Sequence, residues 1–320
     1  MNVISGMRVV GVTAVQSKWT PRDDIILDMV RIPETCVLVG PPGTGKTSLC
    51  NMEAQLLTAI VRDAIGAKMT AEDGRLLNTY APKLDAATID TNVSTYRDIV
   101  ARVGYVPLYI FPANPGAQAT DILGGYAPDD TGTWKFQPGV ALHAWGQSAL
   151  DAPGILVIDD AHNMSPEMMA AMYKAMDGGI GGMITLPNGK LIRPKSGYRF
   201  RATMNGEFAD LDPAVQDRTV GVFQVMTPSE EMFSLLRADV QGIARADYDG
   251  TNPDPFATFR QWKALSDLWP RVGLGKAAML TMREEQQARD LVTLLAGMGV
   301  QDAIDVLKAT TNLIRSGYQP

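Results

Sequence analysis

The sequence predicts an α/β fold, a parallel sheet with flanking helices, followed by a small all-helical region at the C-terminal end. Three observations predict it. The apolar run Cys36-Val37-Leu38-Val39 leads through a glycine-rich turn into an amphipathic helical stretch, the strand, turn and helix sequence of a parallel sheet. A second buried-strand pattern, Gly154-Ile155-Leu156-Val157-Ile158-Asp159-Asp160, ends in two carboxylates. Beyond Pro228 the pattern is helix after helix, over residues 229–243, 256–268, 276–295 and 303–314, broken by Gly, Pro and Asn.

The turn itself, Gly40-Pro41-Pro42-Gly43-Thr44-Gly45-Lys46-Thr47, is a complete phosphate-binding loop. Its glycines let several backbone N–H groups converge on phosphate oxygens at a helix N-terminus, where the dipole also favours negative charge. In this pattern Lys46 reaches the β- and γ-phosphates of a nucleoside triphosphate, and Thr47 ligates Mg²⁺. A chance glycine-rich match is the poorer reading, because a strand precedes the loop, a helix follows it and an acidic motif lies downstream. The following helix shows one apolar face in Leu49, Met52, Leu56, Leu57, Ile60, Val61 and Ala64, and Gly66 ends it. Ser48, the next residue after the loop, is grouped with the nucleotide-binding set.

In the second motif Asp159 is the candidate Mg²⁺ ligand, acting through water. Asp160 lies one step further along, where an acidic group orients and deprotonates attacking water; it is the candidate base. Residues 198–205, Tyr-Arg-Phe-Arg-Ala-Thr-Met-Asn, read as another strand with polar Asn205 at its tip, a candidate contact for the γ-phosphate or the water. Residues 211–218 read as a short helical piece that delivers Arg218.

The chain has 320 residues, 46% of them apolar, enough to bury one large or two modest cores. No apolar run approaches the ~18 residues that span a bilayer, and the first residues have no signal-type pattern, so no membrane association and a cytoplasmic location are expected. The two cysteines, Cys36 and Cys50, lack the spacing of a disulfide scaffold or zinc site and are expected to be buried, inert thiols. A net charge of −6 argues against nonspecific coating of nucleic acid and leans toward protein or small-molecule partners.

Taken in order, these segments resemble an AAA+ ATPase, and specifically its MoxR-like, dynein-related branch of CbbQ and NorQ type. The resemblance covers residues 34–226 well and the remainder loosely. It implies that Gly40 to Thr47 is the Walker A loop, that residues 155–160 are Walker B, that Asn205 is sensor 1, and that Arg218 is an arginine finger acting on a neighbouring subunit's nucleotide. Residues 120–139 resemble the branch's helix-2 insertion. Residues 183–200 resemble the hairpin before sensor 1, where Asn188-Gly189 is independently a tight-turn signal. By the same resemblance, residues 1–33 form a lead-in near the adenine, 34–226 the core and 227–320 the lid. Sensor 2 is expected at Lys276, with Arg271 the competing choice. The implied function is a homo-oligomeric, hexameric ring that uses ATP and Mg²⁺ to remodel or activate a protein partner, in this branch commonly one with a von Willebrand factor A domain.

One departure and two alternative readings qualify that picture. Walker B ends in Asp159-Asp160 where the family usually has Asp-Glu, so the base is shorter by one methylene and slow hydrolysis, or a ring that binds ATP as a scaffold, is one alternative. The other is a nucleic-acid motor or loader, since Lys190, Arg193, Lys195, Arg199 and Arg201 crowd the hairpin and the next strand. His162 after Walker B is read as structural. Met168, Met169, Met172 and Met176 form a helical stripe better read as core than as a partner surface.

Overall fold

The computed structural model describes residues 22–128, 130–147, 150–177, 182–186 and 189–248, with 259, 262, 263 and 266. The first 21 residues, Pro187-Asn188 of the expected tight turn, most of the helical region beyond 256, and both sensor 2 candidates, Arg271 and Lys276, lie outside the described residues. The chain divides into two compact units, one of residues up to Val39 with Lys46–Gln224 and the other of Gly40–Gly45 with the chain from Val225 onward.

The first unit is built on a five-stranded sheet. Helix α1 (Arg22–Arg31) precedes strand β1 (Cys36–Val39), and α2 (Lys46–Ala64) follows the loop. Helices α3 (Ala71–Tyr80) and α4 (Ala86–Val103) come next. Their ends are written in the sequence: Thr70 and Asp73 form a reciprocal capping box, the Asp85 side chain caps α4, and Gly104 closes it at φ 88°. Then come β2 (Leu108–Pro112), α5 (Ala119–Leu123), the antiparallel pair β3 (Gly124–Pro128) and β4 (Trp134–Pro138), α6 (Val140–Ala144), β5 (Ile155–Asp159) and α7 (Pro166–Met176). A short hairpin of β6 (Ile184–Thr185) and β7 (Leu191–Ile192) precedes β8 (Arg199–Met204), α8 (Pro213–Arg218) and β9 (Gly221–Gln224). The sheet order is β2-β5-β8-β1-β9, all parallel. A parallel sheet needs cover on both faces, and its central strands β1 and β8 are accordingly buried at every residue.

Alternation along β8 decides what each face does. Phe200, Ala202 and Met204 point into the main apolar core with Leu156, Ile158, Met168 and Met172. Met168 and Met172 are fully buried and Met176 nearly so, which bears out the core reading of the methionine stripe. Burial contributes about 1.5–3 kcal/mol for each such side chain.

The opposite face of β8 carries Arg199, Arg201 and Thr203, and here the sequence expectation is corrected. Arg199 and Arg201 are 4% and 0% exposed and belong to no basic surface. Both grip Glu53, itself fully buried on α2: Arg201 Nε donates to Oε2 at 2.8 Å and its Nη2 to Oε1 at 2.6 Å, while Arg199 Nη1 donates to Oε1 at 3.0 Å. The remaining guanidinium N–H groups are taken up by the carbonyls that end α1, by the Tyr96 hydroxyl, by the Asn92 side-chain oxygen and by the Glu34 and Phe200 carbonyls. Arg199 donates to Met29 O at 2.9 Å and Arg201 to Ile32 O at 2.8 Å and Met29 O at 3.1 Å. Two cations against one carboxylate leave excess positive charge, which the negative end of the α1 dipole and its unpaired carbonyls offset. Lys195, on the approach to β8, is ion-paired with Asp151. The nucleic-acid reading therefore keeps Lys190 and Arg193 of its five basic residues.

In the second unit, α9 (Glu230–Ser234) and α10 (Ala238–Asp247) replace the single helix expected over 229–243. Ser229 caps α9 as its position suggests, but Arg237 is extended at ψ 148° and gives its N–H to Ser266 Oγ at 2.8 Å. A partner 29 residues away outweighs local helix propensity at that point. Phe233 meets Tyr248 and Phe259 edge to face, with centroids 6.4 and 6.1 Å apart.

Candidate functional site

The loop belongs to the second unit. Gly40 has φ 143°, and a Cβ there would lie 2.4 Å from Val225 O. Gly43 has φ 80°, and its Cβ position lies 3.0 Å from Phe259 N. Both positions are closed to side chains, so the glycines expected for phosphate approach are also required by the fold. Thr44 is buried and donates from Oγ1 to Pro41 O at 3.0 Å, tying the loop across itself. Pro42 O accepts from Tyr248 Oη at 3.3 Å.

By chain continuity the loop runs into α2, whose first residues are Lys46 and Thr47; Ser48 follows and is exposed. In the first unit these meet the carboxyl ends of β5 and β8. Thr47 Oγ1 donates to Asp159 Oδ1 at 2.5 Å, and Thr203 Oγ1 donates to the same oxygen at 2.6 Å. The Asp160 N–H donates to Thr203 Oγ1 at 3.0 Å. Asp160 itself is left-handed, at φ 56° and ψ 47°, where β5 turns sharply away. Asn205 bridges the two charged groups: its Oδ1 accepts from Lys46 Nζ at 2.9 Å and its Nδ2 donates to Asp160 Oδ1 at 3.4 Å.

The structure therefore gathers Lys46, Thr47, Asp159, Asp160 and Asn205 into one hydrogen-bonded cluster. Burial lowers the Lys46 ammonium to about 8, against the upward pull of the Asp160 and Asp159 carboxylates. The site thus holds a cation that an anionic ligand would stabilise. Thr47 and Asp159 offer adjacent hydroxyl and carboxylate oxygens, a donor pair that fits Mg²⁺, which takes one or two protein oxygens and keeps several waters.

Arg218 does not join this cluster. Its Nε donates to Asp177 Oδ1 at 2.8 Å, its Nη1 to Ala214 O at 3.0 Å, and its guanidinium lies 5.4 Å from the Tyr173 ring centroid. The side chain keeps 34% exposure. His162, given no catalytic role, accepts the Asn205 N–H on Nδ1 at 3.4 Å and so steadies the backbone of that residue. Cys36 and Cys50 are free and buried; burial pushes the Cys36 thiol up to about 11 and raises Cys50 as well, the inert thiols expected.

Two residues of consequence were not singled out by sequence reasoning. Thr203 stands two places before Asn205, hence on the same face of β8, and that alternation was the available signal. Glu53 lies four residues after Leu49 and three before Leu56, on the apolar stripe of α2, where a charge demands a buried partner.

The parallel sheet and the cluster at its carboxyl ends, reached by the chain through a phosphate-loop sequence, are those of an α/β phosphate-loop fold. Residues 33–186 match the family model described as an AAA domain, just under half of the chain. That stretch is similar to an AAA-type ATPase domain, and Asn205 and Arg218 lie beyond it. No curated protein matches the chain. Among solved structures, a crystal structure of a candidate ATPase from Cytophaga hutchinsonii aligns over 78% of this chain and 57% of its own, at 11% identity and TM-score 0.39. The chain therefore spans somewhat over half the length of that protein. Among the described residues, no helix is long and apolar enough to cross a membrane.

Proposed function

We propose that the chain is a subunit of a ring-forming ATPase of the MoxR-like branch, which couples Mg²⁺-dependent ATP hydrolysis to remodelling or activation of a protein partner. The observation that carries this reading is the division of labour among the charged groups. Lys46, Asp159, Asp160 and Asn205 cluster, while Arg218 is held outside that cluster by Asp177 and Tyr173 and keeps 34% exposure. A cation needed for charge developing in phosphoryl transfer, but absent from its own site, is suited to a neighbour's. Repetition of that relation around a closed ring satisfies every site. A hexamer, and a partner with a von Willebrand factor A domain, follow from the resemblance.

In this mechanism the loop amides and Lys46 bind the phosphates, and Thr47 and Asp159 would hold Mg²⁺, which when bound would supply positive charge beside the phosphates. Asn205 positions water, Asp160 accepts its proton, and Arg218 of the adjacent subunit stabilises the transition state.

The test is turnover against protein concentration. Lys46→Ala is expected to lose nucleotide binding and turnover together. Arg218→Ala is expected to bind ATP normally and lose turnover by about 10³-fold or more. Mixing the two inactive variants recombines an intact Lys46 with an intact Arg218 across some interfaces, so activity returns. An Arg218→Ala protein with unchanged turnover, or a mixture that stays silent, sinks the trans arrangement.

Lys46 also gives the site a pH signature. Its folded value of about 8 lies below that of an unfolded lysine, so between the two the unfolded chain holds more protons and stability rises with pH. The penalty for burying the charge applies in full below pH 8. Phosphate binding favours the ammonium, so ATP binding at pH 8.5–9 is expected to take up a proton and to weaken as pH rises above about 8. Calorimetry in two buffers of different ionisation enthalpy measures this; no uptake at pH 8.5 refutes it.

A further inference from the structure

We infer that Thr203 is the positioning residue that locks both acidic groups of the site into working geometry, a role that rests on the ATPase reading above and deepens it. Its hydroxyl is used in both directions at once. As a donor it holds Asp159 Oδ1 at 2.6 Å, and as an acceptor it takes the Asp160 N–H at 3.0 Å. The residue is 1% exposed on a central strand, so its hydroxyl is held rigidly.

Each bond has a separate consequence. The bond to Asp159 is made on the same oxygen that receives Thr47 Oγ1, so two hydroxyls from different elements fix the carboxylate's rotation. Among the described contacts no hydrogen bond reaches Oδ2 of Asp159, which leaves that oxygen directed by the other two and suited to a metal-bound water. Partners of this kind around a metal-binding carboxylate are worth about 10- to 100-fold in metal affinity or activity. The bond from the Asp160 N–H acts on the backbone. It anchors the peptide at the point where the chain enters the left-handed conformation at φ 56°, and so sets where the Asp160 carboxylate points. Valine has nearly the shape of threonine and fills the same space, but lacks the hydroxyl for either bond, whereas serine keeps it.

The experiment compares Thr203→Val and Thr203→Ser with wild type, using a fluorescent ATP analogue titrated with Mg²⁺ and turnover measured at saturating Mg²⁺. Thr203→Val is expected to raise the half-saturating Mg²⁺ concentration by about 10- to 100-fold and to lower kcat, with KM for ATP little changed. Nucleotide binding in chelator is expected to be unaltered, which also reports an intact fold. Thr203→Ser is expected to return both quantities to within about threefold of wild type. If the valine variant does not fold, Thr203→Ala provides the same loss of hydroxyl with less steric demand. A valine or alanine variant with wild-type Mg²⁺ dependence and kcat overturns the assignment, and so does a serine variant as impaired as valine. Wild-type binding that ignores Mg²⁺ removes the metal role of Asp159 and this inference with it; Mg²⁺-dependent wild type beside an indifferent valine variant removes the inference alone.

Discussion

Glu53→Ala is expected to lower the unfolding free energy by roughly 3–5 kcal/mol, the cost of stripping one partner from a buried ion pair. The substitution removes three charge-assisted hydrogen bonds, of 2.6, 2.8 and 3.0 Å, and leaves two guanidinium groups inside the protein with only uncharged partners, backbone carbonyls, the Tyr96 hydroxyl and the Asn92 side-chain oxygen. The cavity adds a smaller loss. At about 2–4 °C per kcal/mol for a unit of this size, the midpoint falls by about 6–20 °C. Glu53→Gln keeps the volume and one acceptor, and is expected to fall between the two. Because the cluster joins α1, α2 and β8, melting followed by tryptophan fluorescence and by circular dichroism should shift together. If Glu53→Ala unfolds within about 1 kcal/mol of wild type, the uncharged partners of Arg199 and Arg201, the α1 carbonyls among them, suffice without the carboxylate.

That cluster also shows where sequence reading stops. The loop, the strands at Cys36, Ile155 and Arg199, the helix after the loop and the β6–β7 hairpin were all legible, because each is a local pattern: an apolar run, a glycine spacing, a period of 3.6 or 2. So were Lys46, Thr47, Asp159, Asp160 and Asn205, each at the end of such an element. Arg199 and Arg201 were legible as positions but not as environments. A strand in the middle of a parallel sheet buries both faces, and whether an alternating arginine faces water depends on a glutamate some 150 residues earlier in the chain, at 53. The break at Arg237 depends on Ser266 in the same way. Arg218 was legible as a helix-end arginine, whereas its hold on Asp177 and Tyr173 needed the tertiary structure.

Asp160→Asn is expected to reduce ATP turnover by about 10²- to 10⁴-fold while nucleotide binding persists, the range attributed to removal of a positioned general base. The backbone favours a clean result. Residue 160 is left-handed, a conformation that asparagine and aspartate both tolerate, so the exchange removes the carboxylate without disturbing the turn. The same geometry bears on why aspartate stands where related ATPases commonly have glutamate. Aspartate sits more readily at φ 56°, and its shorter reach is matched by Asn205, whose Nδ2 lies 3.4 Å from Asp160 Oδ1 and ties the carboxylate to the residue that also holds Lys46. Asp160→Glu tests this balance. The longer side chain extends toward the phosphate but sits less well in the left-handed backbone, at a cost of order 1 kcal/mol in stability. Turnover within about tenfold of wild type, beside a nearly inactive asparagine variant, identifies the carboxylate as the base whatever its reach. Unchanged turnover in Asp160→Asn assigns the proton transfer elsewhere, and rapid hydrolysis by Asp160→Glu alone makes the native aspartate the brake of a slow ATP switch.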